Sequence, residues 1–170
     1  MRILLSILFF TILSSANSLH EQSSKTFSEE ILRSLVKHDK DLFEKTAIAS
    51  KTILDSLIIQ EFPKLKNLPK EEREVHINKV MNYDMLKSTL LKSWDKIYNR
   101  GVREGIKWEN VTLIKIEYEF QEKKGLIWSD NNLYFNFNKK VFHIKLDDCV
   151  LLDGHWYMND TMKWRGEVLD

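Results

Sequence analysis

The sequence predicts an α+β fold in which N-terminal helices pack on a curved, four-stranded antiparallel β-meander. All five glycines lie beyond position 100, and residues 19–100 carry apolar residues at helical spacing. From Val111 onward, apolar and polar residues alternate with a period of two, which is typical of half-buried strands. A length of 170 residues with 43% hydrophobic and 30% charged residues fits one globular domain. We expect that domain to span residues 26–170, with helices at about 26–100 and the sheet at about 106–165.

The N-terminus predicts export. Arg2 precedes an apolar run over residues 3–13, and small residues follow it as far as Ser18. The run is too short for the roughly 20 residues that cross a membrane, so it reads as a cleavable signal peptide of residues 1–18. Spacing of Ala16 and Ser18 predicts Leu19 as the first mature residue, and cleavage after Ala16 also fits. We expect a secreted or periplasmic protein with no membrane segment after cleavage.

Charge and cysteine content restrict the partners and the covalent structure. The chain has 26 basic and 25 acidic residues, and removal of Arg2 with the signal peptide balances them. A balanced, interleaved charge argues against a nucleic-acid partner. Cys149 is the only cysteine, so the fold cannot contain an internal disulfide, and we expect a small buried or half-buried thiol.

The first half predicts a series of helices after a polar lead-in at residues 19–25. Thr26 and Glu29 match a capping box, which predicts a helix start there. Asp39 or Asp41 can begin a second, short helix. Ser50 can cap a third helix that ends at Pro63.

The longest predicted helix begins after Pro69 and extends to Arg100, with a break expected near 82–84. Proline is favoured in the first turn of a helix, and Gly101 is predicted to end this one.

The first strand is predicted to place Ile114, Ile116, Tyr118 and Phe120 on one face, with Lys115, Glu117 and Glu119 on the other. Residues 121–125 form a polar turn, and residues 129–131 form a bulge in the second strand.

Asn138 and Lys139 predict a two-residue hairpin turn. This turn pairs Phe135 with Phe142 and Leu133 with Ile144, and both pairs share one face.

Even-numbered apolar residues occur on both sides of the last turn, and same-parity residues face each other only across a loop of odd length. The sequence therefore predicts a three-residue loop around Asp153 and Gly154. Cys149 would then lie on the polar face. One buried face would carry Ile144, Leu146, Val150, Trp156, Met158 and Met162, with Lys145 and Lys163 on the opposite side.

The order of elements and the aromatic-rich segment 147–164, DDCVLLDGHWYMNDTMKW, resemble small secreted proteins of the cystatin-like or nuclear-transport-factor-2-like (NTF2-like) class. The resemblance covers residues 26–167 and is one of layout. It implies a curved sheet around a long helix, with a conical pocket that some members use for catalysis and others for binding. An early strand found in some members could be supplied here only by residues 58–62.

Asp148 and Asp160 are the candidate catalytic residues. The predicted register places both carboxylates on the apolar face, where burial or mutual repulsion would raise their pKa values and prepare a general acid or base. Tyr118 could add a hydroxyl to the same pocket. The alternative is that both carboxylates are solvated at the sheet margin and that Tyr118 packs in the core.

Trp128, Trp156 and Trp164 are candidate ligand-binding residues, because indole rings can stack on sugars or flat apolar molecules. The alternative is that they pack helices against the sheet.

The five histidines show no zinc-ligand spacing, so we expect no metal site and no cofactor. Asn110 and Asn159 begin glycosylation sequons.

These features support two functional hypotheses. The first is a non-enzymatic binding or interaction module whose partner is an unknown protein or a small apolar ligand. The second is an acid/base enzyme of the isomerase, dehydratase or hydrolase type that acts on a small apolar substrate. A cavity with Asp148 or Asp160 at its floor would favour the enzyme, and a filled core would favour the module. The sequence leaves the oligomeric state open.

Overall fold

The computed structural model describes the backbone of residues 2–169 and the side chains of residues 19–169, and it has the predicted α+β layout. The helices are α1 (Arg2–Val36), α2 (Lys40–Ala47), α3 (Lys51–Glu61), α4 (Lys70–Val80) and α5 (Tyr83–Arg103). The strands are β1 (Thr112–Lys123), β2 (Leu126–Phe137), β3 (Lys140–Leu152), β4 (His155–Met158) and β5 (Met162–Glu167). Short 3-10 turns occupy Pro63–Asn67 and Trp108–Asn110.

The sheet is an antiparallel meander in the order β1-β2-β3, and both β4 and β5 pair with β3. β4 pairs with the C-terminal half of β3 and β5 with its N-terminal half. The two short strands therefore act as one interrupted edge strand, which matches the predicted four-stranded meander. The opposite edge is the 12-residue strand β1.

The main core lies between one face of the sheet, the inner face, and helices α1 and α5. It joins Ile31 and Leu35 of α1 and Trp94 of α5 to Phe135 and Ile144 of the sheet, and all five are at most 1% exposed. The predicted pairs Phe135 with Phe142 and Leu133 with Ile144 are confirmed, and all four residues belong to this core.

Two predicted helix starts, at Asp39 and Ser50, are confirmed by their caps, and Asn82 caps a third helix. The side chains of Asp39, Ser50 and Asn82 accept hydrogen bonds from the backbone N–H groups of Leu42, Ile53 and Met85, respectively. Because Asn82 begins α5, the predicted break in the longest helix is also confirmed. Pro69 immediately precedes α4.

The predicted helix start at Thr26 is wrong. α1 already includes residues 19–25, and the Thr26 hydroxyl donates to the carbonyl of Gln22 at 3.2 Å within the helix. Ser24 is fully buried, so this polar segment is part of the packed helix.

Gly101 does not end its helix, which continues to Arg103. A Cβ atom at Gly101 would lie 2.8 Å from Cε2 of Trp108. The glycine is required because the indole ring packs against the helix backbone there. Residues 58–62 are helical up to Glu61, so they supply no strand.

The first two hairpin turns each have two residues with positive φ. Asn138 and Lys139 form the predicted turn, whereas the turn at Lys124 and Gly125 is shorter than expected because β1 extends to Lys123. Ile114 is an extra residue in β1, between pairs that skip it, and is 50% exposed. It therefore does not share the face of Ile116, and this part of the sequence-based prediction is wrong.

The prediction of a three-residue loop in the last hairpin is wrong. Leu152 pairs directly with His155, so only Asp153 and Gly154 form the turn. A bulge supplies the missing change of parity: Asp147 and Asp148 of β3 oppose the single residue Asp130 of β2. The predicted irregularity at residues 129–131 is thus present, but the extra residue lies on β3.

The bulge moves Cys149 to the inner core and Val150 to the opposite, outer face, so both assignments are corrected. Cys149 is a buried free thiol, as expected. The other five residues of the predicted apolar face do belong to the inner core: Ile144, Leu146, Trp156, Met158 and Met162. Lys145 and Lys163 pair on the outer face.

Helix α3 covers one end of the outer face. Its residues Ile53 and Leu57 pack against Val150, Trp128 and Tyr157. The sheet is therefore covered on both faces at this end.

The predicted signal peptide, residues 1–18, lies outside the residues whose side chains the structure describes. Within the described part of the chain, no helix is sufficiently long and apolar to cross a membrane.

Candidate functional site

Helix α1 crosses the inner face and leaves a cavity on each side. The larger is an open groove of about 840 Å³ between α1 and the edge strand β1, and we call it the α1–β1 groove. The smaller, of about 400 Å³, lies between α1, α2 and the β3–β4 turn. The lining residues of the α1–β1 groove are His20, Glu21, Ile116, Glu117, Tyr118, Phe120, Gln121, Glu122 and Ile127.

A buried polar network holds α1 against the sheet beside the groove. Asn131 Nδ2 donates to Ser28 Oγ at 2.9 Å, and Asn131 Oδ1 accepts from Ser24 Oγ at 3.2 Å and from Ser129 Oγ. All four residues are at most 1% exposed. Because buried hydroxyl and amide groups need partners, this network fixes the position of α1 and the width of the groove.

Aromatic side chains form the floor of the groove. The rings of Tyr118 and Phe120 stack with centroids 5.7 Å apart, and Phe120 also contacts Trp156 at 6.0 Å. Phe120 remains 38% exposed. An exposed aromatic on a long edge strand is a feature of binding surfaces more than of cores.

Three carboxylates also line the groove, those of Glu21, Glu117 and Glu122. Burial and the charges of Glu21 and Glu29 raise the pKa of Tyr118 to about 12. Glu117 pairs with Lys115 at 2.6 Å, and the hydrogen bond from Lys115 lowers the pKa of Glu117. Among the described residues, three carboxylates at the groove or on β1 form no ion pair: Glu21, Glu119 and Glu122.

The groove opens onto a free strand edge. Within residues 19–169, β1 pairs with β2 only, so its other edge presents N–H and C=O groups without a strand partner. By contrast, the opposite edge of the sheet is divided into strands of four and six residues. β1 is therefore the longer surface available for main-chain pairing.

Asp148 and Asp160 lie outside the groove, and neither lines the cavity between α1 and α2 or the outer-face cavity at Trp128. Asp148 occupies the β3 bulge with φ of 46°. Asp160 is 45% exposed at its side chain, accepts from the N–H of Thr161 at 2.6 Å and lies 3.6 Å from Lys163 Nζ. Of the three predicted catalytic residues, only Tyr118 lines the groove.

The three candidate tryptophans lie in three different places. Trp156 is 3% exposed and its Nε1 donates to Ser23 Oγ at 2.9 Å, so it fastens α1 to β4. Trp128 lines a cavity of about 250 Å³ on the outer face with Leu57 and Leu126. Trp164 packs against Phe142 and donates to Glu104 Oε1 at 3.1 Å.

Sequence reasoning missed an ion-pair network on the outer face. Lys145 contacts Asp130 and Asp147, each at 2.7 Å, and Asp147 also pairs with Lys163. Burial acts to raise the pKa of Asp147, but hydrogen bonds from the two lysines outweigh it and lower that pKa. The alternation of the strand placed these residues on the polar face, but only the bulge brings Asp130 to them.

No group of histidine, cysteine and carboxylate side chains suited to a metal ion occurs among the described residues. Comparisons with family models, curated proteins and solved structures gave no match to this chain.

Proposed function

We propose that this protein is an exported, non-enzymatic binding module of the cystatin-like or NTF2-like class, with the α1–β1 groove as its ligand site. One observation carries the proposal: a groove with an exposed aromatic floor lies directly beside a free strand edge. The combination offers both apolar contact and main-chain hydrogen bonding to a ligand.

The packing of the inner face supports this choice. Next to the groove, the face is filled by side chains of α1 and α5, including Ile31 and Trp94. A filled core leaves the rim of the sheet as the place where a ligand can be accommodated. The alternative enzyme hypothesis requires a buried carboxylate at a cavity, and no observation at Asp148 or Asp160 favours it.

Export remains part of the proposal. Cleavage before Leu19 would place a new amino terminus one residue before His20, at the rim of the groove. Mass spectrometry of protein recovered outside the cytoplasm should show a chain that begins at Leu19 or Asn17. A recovered chain that retains Arg2 would contradict this part.

The binding site can be tested by chemical-shift mapping with a mixture of small aromatic and peptide-like fragments. We expect the perturbed resonances to cluster at Ile116, Tyr118, Phe120 and Ile127. Phe120→Ala should weaken fragment binding, whereas Phe62→Ala, which removes an exposed phenylalanine at the end of α3, should not. Perturbations centred on Asp148 and Asp160, or none at the groove, would contradict the proposal.

A further inference from the structure

The free edge of β1 determines the form of a ligand that the groove can hold. The groove follows residues 116–122 on one strand edge, and these residues span roughly 20 Å at 3.3 Å per residue. A peptide in extended conformation can satisfy the unpaired backbone groups along this whole length by adding as a further strand. A compact ligand could reach only a few of them.

The two faces of β1 determine the side-chain pattern of that peptide. Ile116, Tyr118 and Phe120 pair with Leu133, Asn131 and Ser129 and so lie on the inner face. Glu117 and Glu119 lie on the outer face between them, whereas Glu122, opposite Ile127, lies on the inner face at the end of the aromatic floor. Because side chains alternate along a strand, an added peptide would place every second residue beside the aromatic floor and the others beside carboxylates.

The charged residues around the groove indicate which charge the polar residues of the peptide should carry. Lys115 forms an ion pair with Glu117, and its Nζ lies 4.6 Å from the centre of the Tyr134 ring. Lys25 lies 4.0 Å from Glu29. Glu21, Glu119 and Glu122 form no ion pair among the described residues, and neither does Lys123 at the end of β1. The groove itself is lined by Glu21, Glu117 and Glu122 and by no lysine or arginine, so its net charge is negative. Lysine or arginine residues of a ligand would complement these carboxylates.

The same charges disfavour a second copy of the chain on this edge in the register centred on Tyr118. If two β1 strands paired antiparallel with Tyr118 opposite Tyr118, Glu117 of each copy would lie opposite Glu119 of the other. Like charges directly opposite each other destabilise a strand pair. Two copies are therefore disfavoured in this register, whereas a partner that places lysine or arginine opposite the glutamates is favoured.

We propose that the α1–β1 groove binds an extended cationic peptide as an added strand on β1, with apolar side chains facing the aromatic floor and lysine or arginine residues beside the glutamates. This inference rests on the proposed binding function and specifies the class of its ligand.

The test is a fluorescence anisotropy titration of the protein, at low ionic strength, with labelled peptides of about eight residues. The probe peptide alternates lysine and valine. Three controls are a glutamate–valine alternation, a peptide with the same lysines and valines in two blocks, and the probe peptide with its central backbone amides N-methylated. The N-methylated peptide keeps every side chain but cannot pair as a strand.

We expect the lysine–valine peptide to bind at least about tenfold more tightly than each control. The double variant Glu119→Lys and Glu122→Lys should reverse the preference between the lysine and glutamate peptides. The matched double variant Glu74→Lys and Glu109→Lys makes the same change of charge on exposed residues outside the groove, and it should leave the preference unchanged.

Equal binding of the lysine and glutamate peptides would overturn the charge selection, and equal binding of the N-methylated peptide would overturn strand addition. Binding of none of the peptides would overturn the whole inference. In that case, fragment shifts at Tyr118 and Phe120 would leave the proposed binding function standing, and their absence would remove both.

Discussion

The carboxylate of Asp130 accepts a hydrogen bond from the backbone N–H of Asp148 at 2.9 Å, where two residues of β3 oppose one residue of β2. The second oxygen of Asp130 accepts from Lys145 Nζ at 2.7 Å. The Asp130 side chain therefore provides the acceptor for the backbone N–H in the bulge and also takes part in the outer-face ion pairs. The bulge directs Cys149 to the inner core.

We predict that Asp130→Ala will lower the free energy of unfolding by about 1–3 kcal/mol, because it leaves the Asp148 N–H without its acceptor and Lys145 without one of its carboxylates. Asp130→Asn retains an oxygen that can accept from the Asp148 N–H, so it should cost less than Asp130→Ala. Denaturant unfolding of both variants measures the difference. Equal losses would show that the hydrogen bond to the bulge contributes nothing.

The bulge explains which parts of the last hairpin could be predicted from the sequence. A three-residue loop and a two-residue loop preceded by a bulge each change the strand parity once, so both place Ile144, Trp156 and Met158 on one face. They differ only for the residues between, and Val150 was consequently assigned to the wrong face. Asn138 and Lys139 were predicted correctly because no bulge separates that turn from its nearest pairs.

The candidate site was less predictable than the fold. Tyr118 was identified from strand periodicity, but the groove beside it exists because α1 continues upstream of Thr26. The pattern of Thr26 and Glu29 matches a helix start, so the sequence did not indicate that the helix includes the residues before Thr26. Ser24 donates a hydrogen bond to Asn131, and Asn131 donates one to Ser28. These bonds connect residues more than 100 positions apart, which local patterns cannot reveal.

The network around Asn131 gives a second prediction. Asn131→Ala removes the partner of three buried serine hydroxyls and should cost about 1–3 kcal/mol of unfolding free energy. Asn131→Asp would bury a carboxyl group, which raises its folded-state pKa, so the variant should be more stable near pH 4 than at pH 7 relative to Asn131→Ala. Chemical denaturation at both pH values measures this. An unchanged free energy of unfolding in Asn131→Ala would contradict the buried network.

Gly101 gives a third prediction, because a side chain at this position would collide with the buried ring of Trp108. Gly101→Ala should cost about 1–3 kcal/mol by overpacking. The cost should decrease in a Trp108→Phe background, where the ring is smaller. Gly105→Ala is the control, since it is strained by its φ of 81° but meets no atom within 4 Å, so its cost should not depend on Trp108.

His143 gives a fourth prediction. Burial and the charge of Arg165 lower its pKa below 6.5, and its ring stacks on Tyr134 at 4.6 Å. Since the folded-state pKa is depressed, the neutral ring stabilises the fold above the unfolded pKa, and this contribution is lost as the pH falls through the folded pKa.

An NMR titration of the His143 ring should therefore have its midpoint below 6.5, and Arg165→Gln should raise that midpoint. Arg103→Gln, on α5, should leave it unchanged. A midpoint at or above 6.5 in the unmodified protein would contradict the placement of the ring.

Peptide binding as an added strand requires a free edge on β1, and residue-resolved amide hydrogen exchange can test for this edge in the protein without ligand. If β1 pairs only with β2, alternate amides over residues 116–121 should be protected, and those between them should exchange at rates near those of exposed amides. Uniform protection of all these amides would show that the edge is already covered, and it would contradict the proposal that the α1–β1 groove receives a peptide strand.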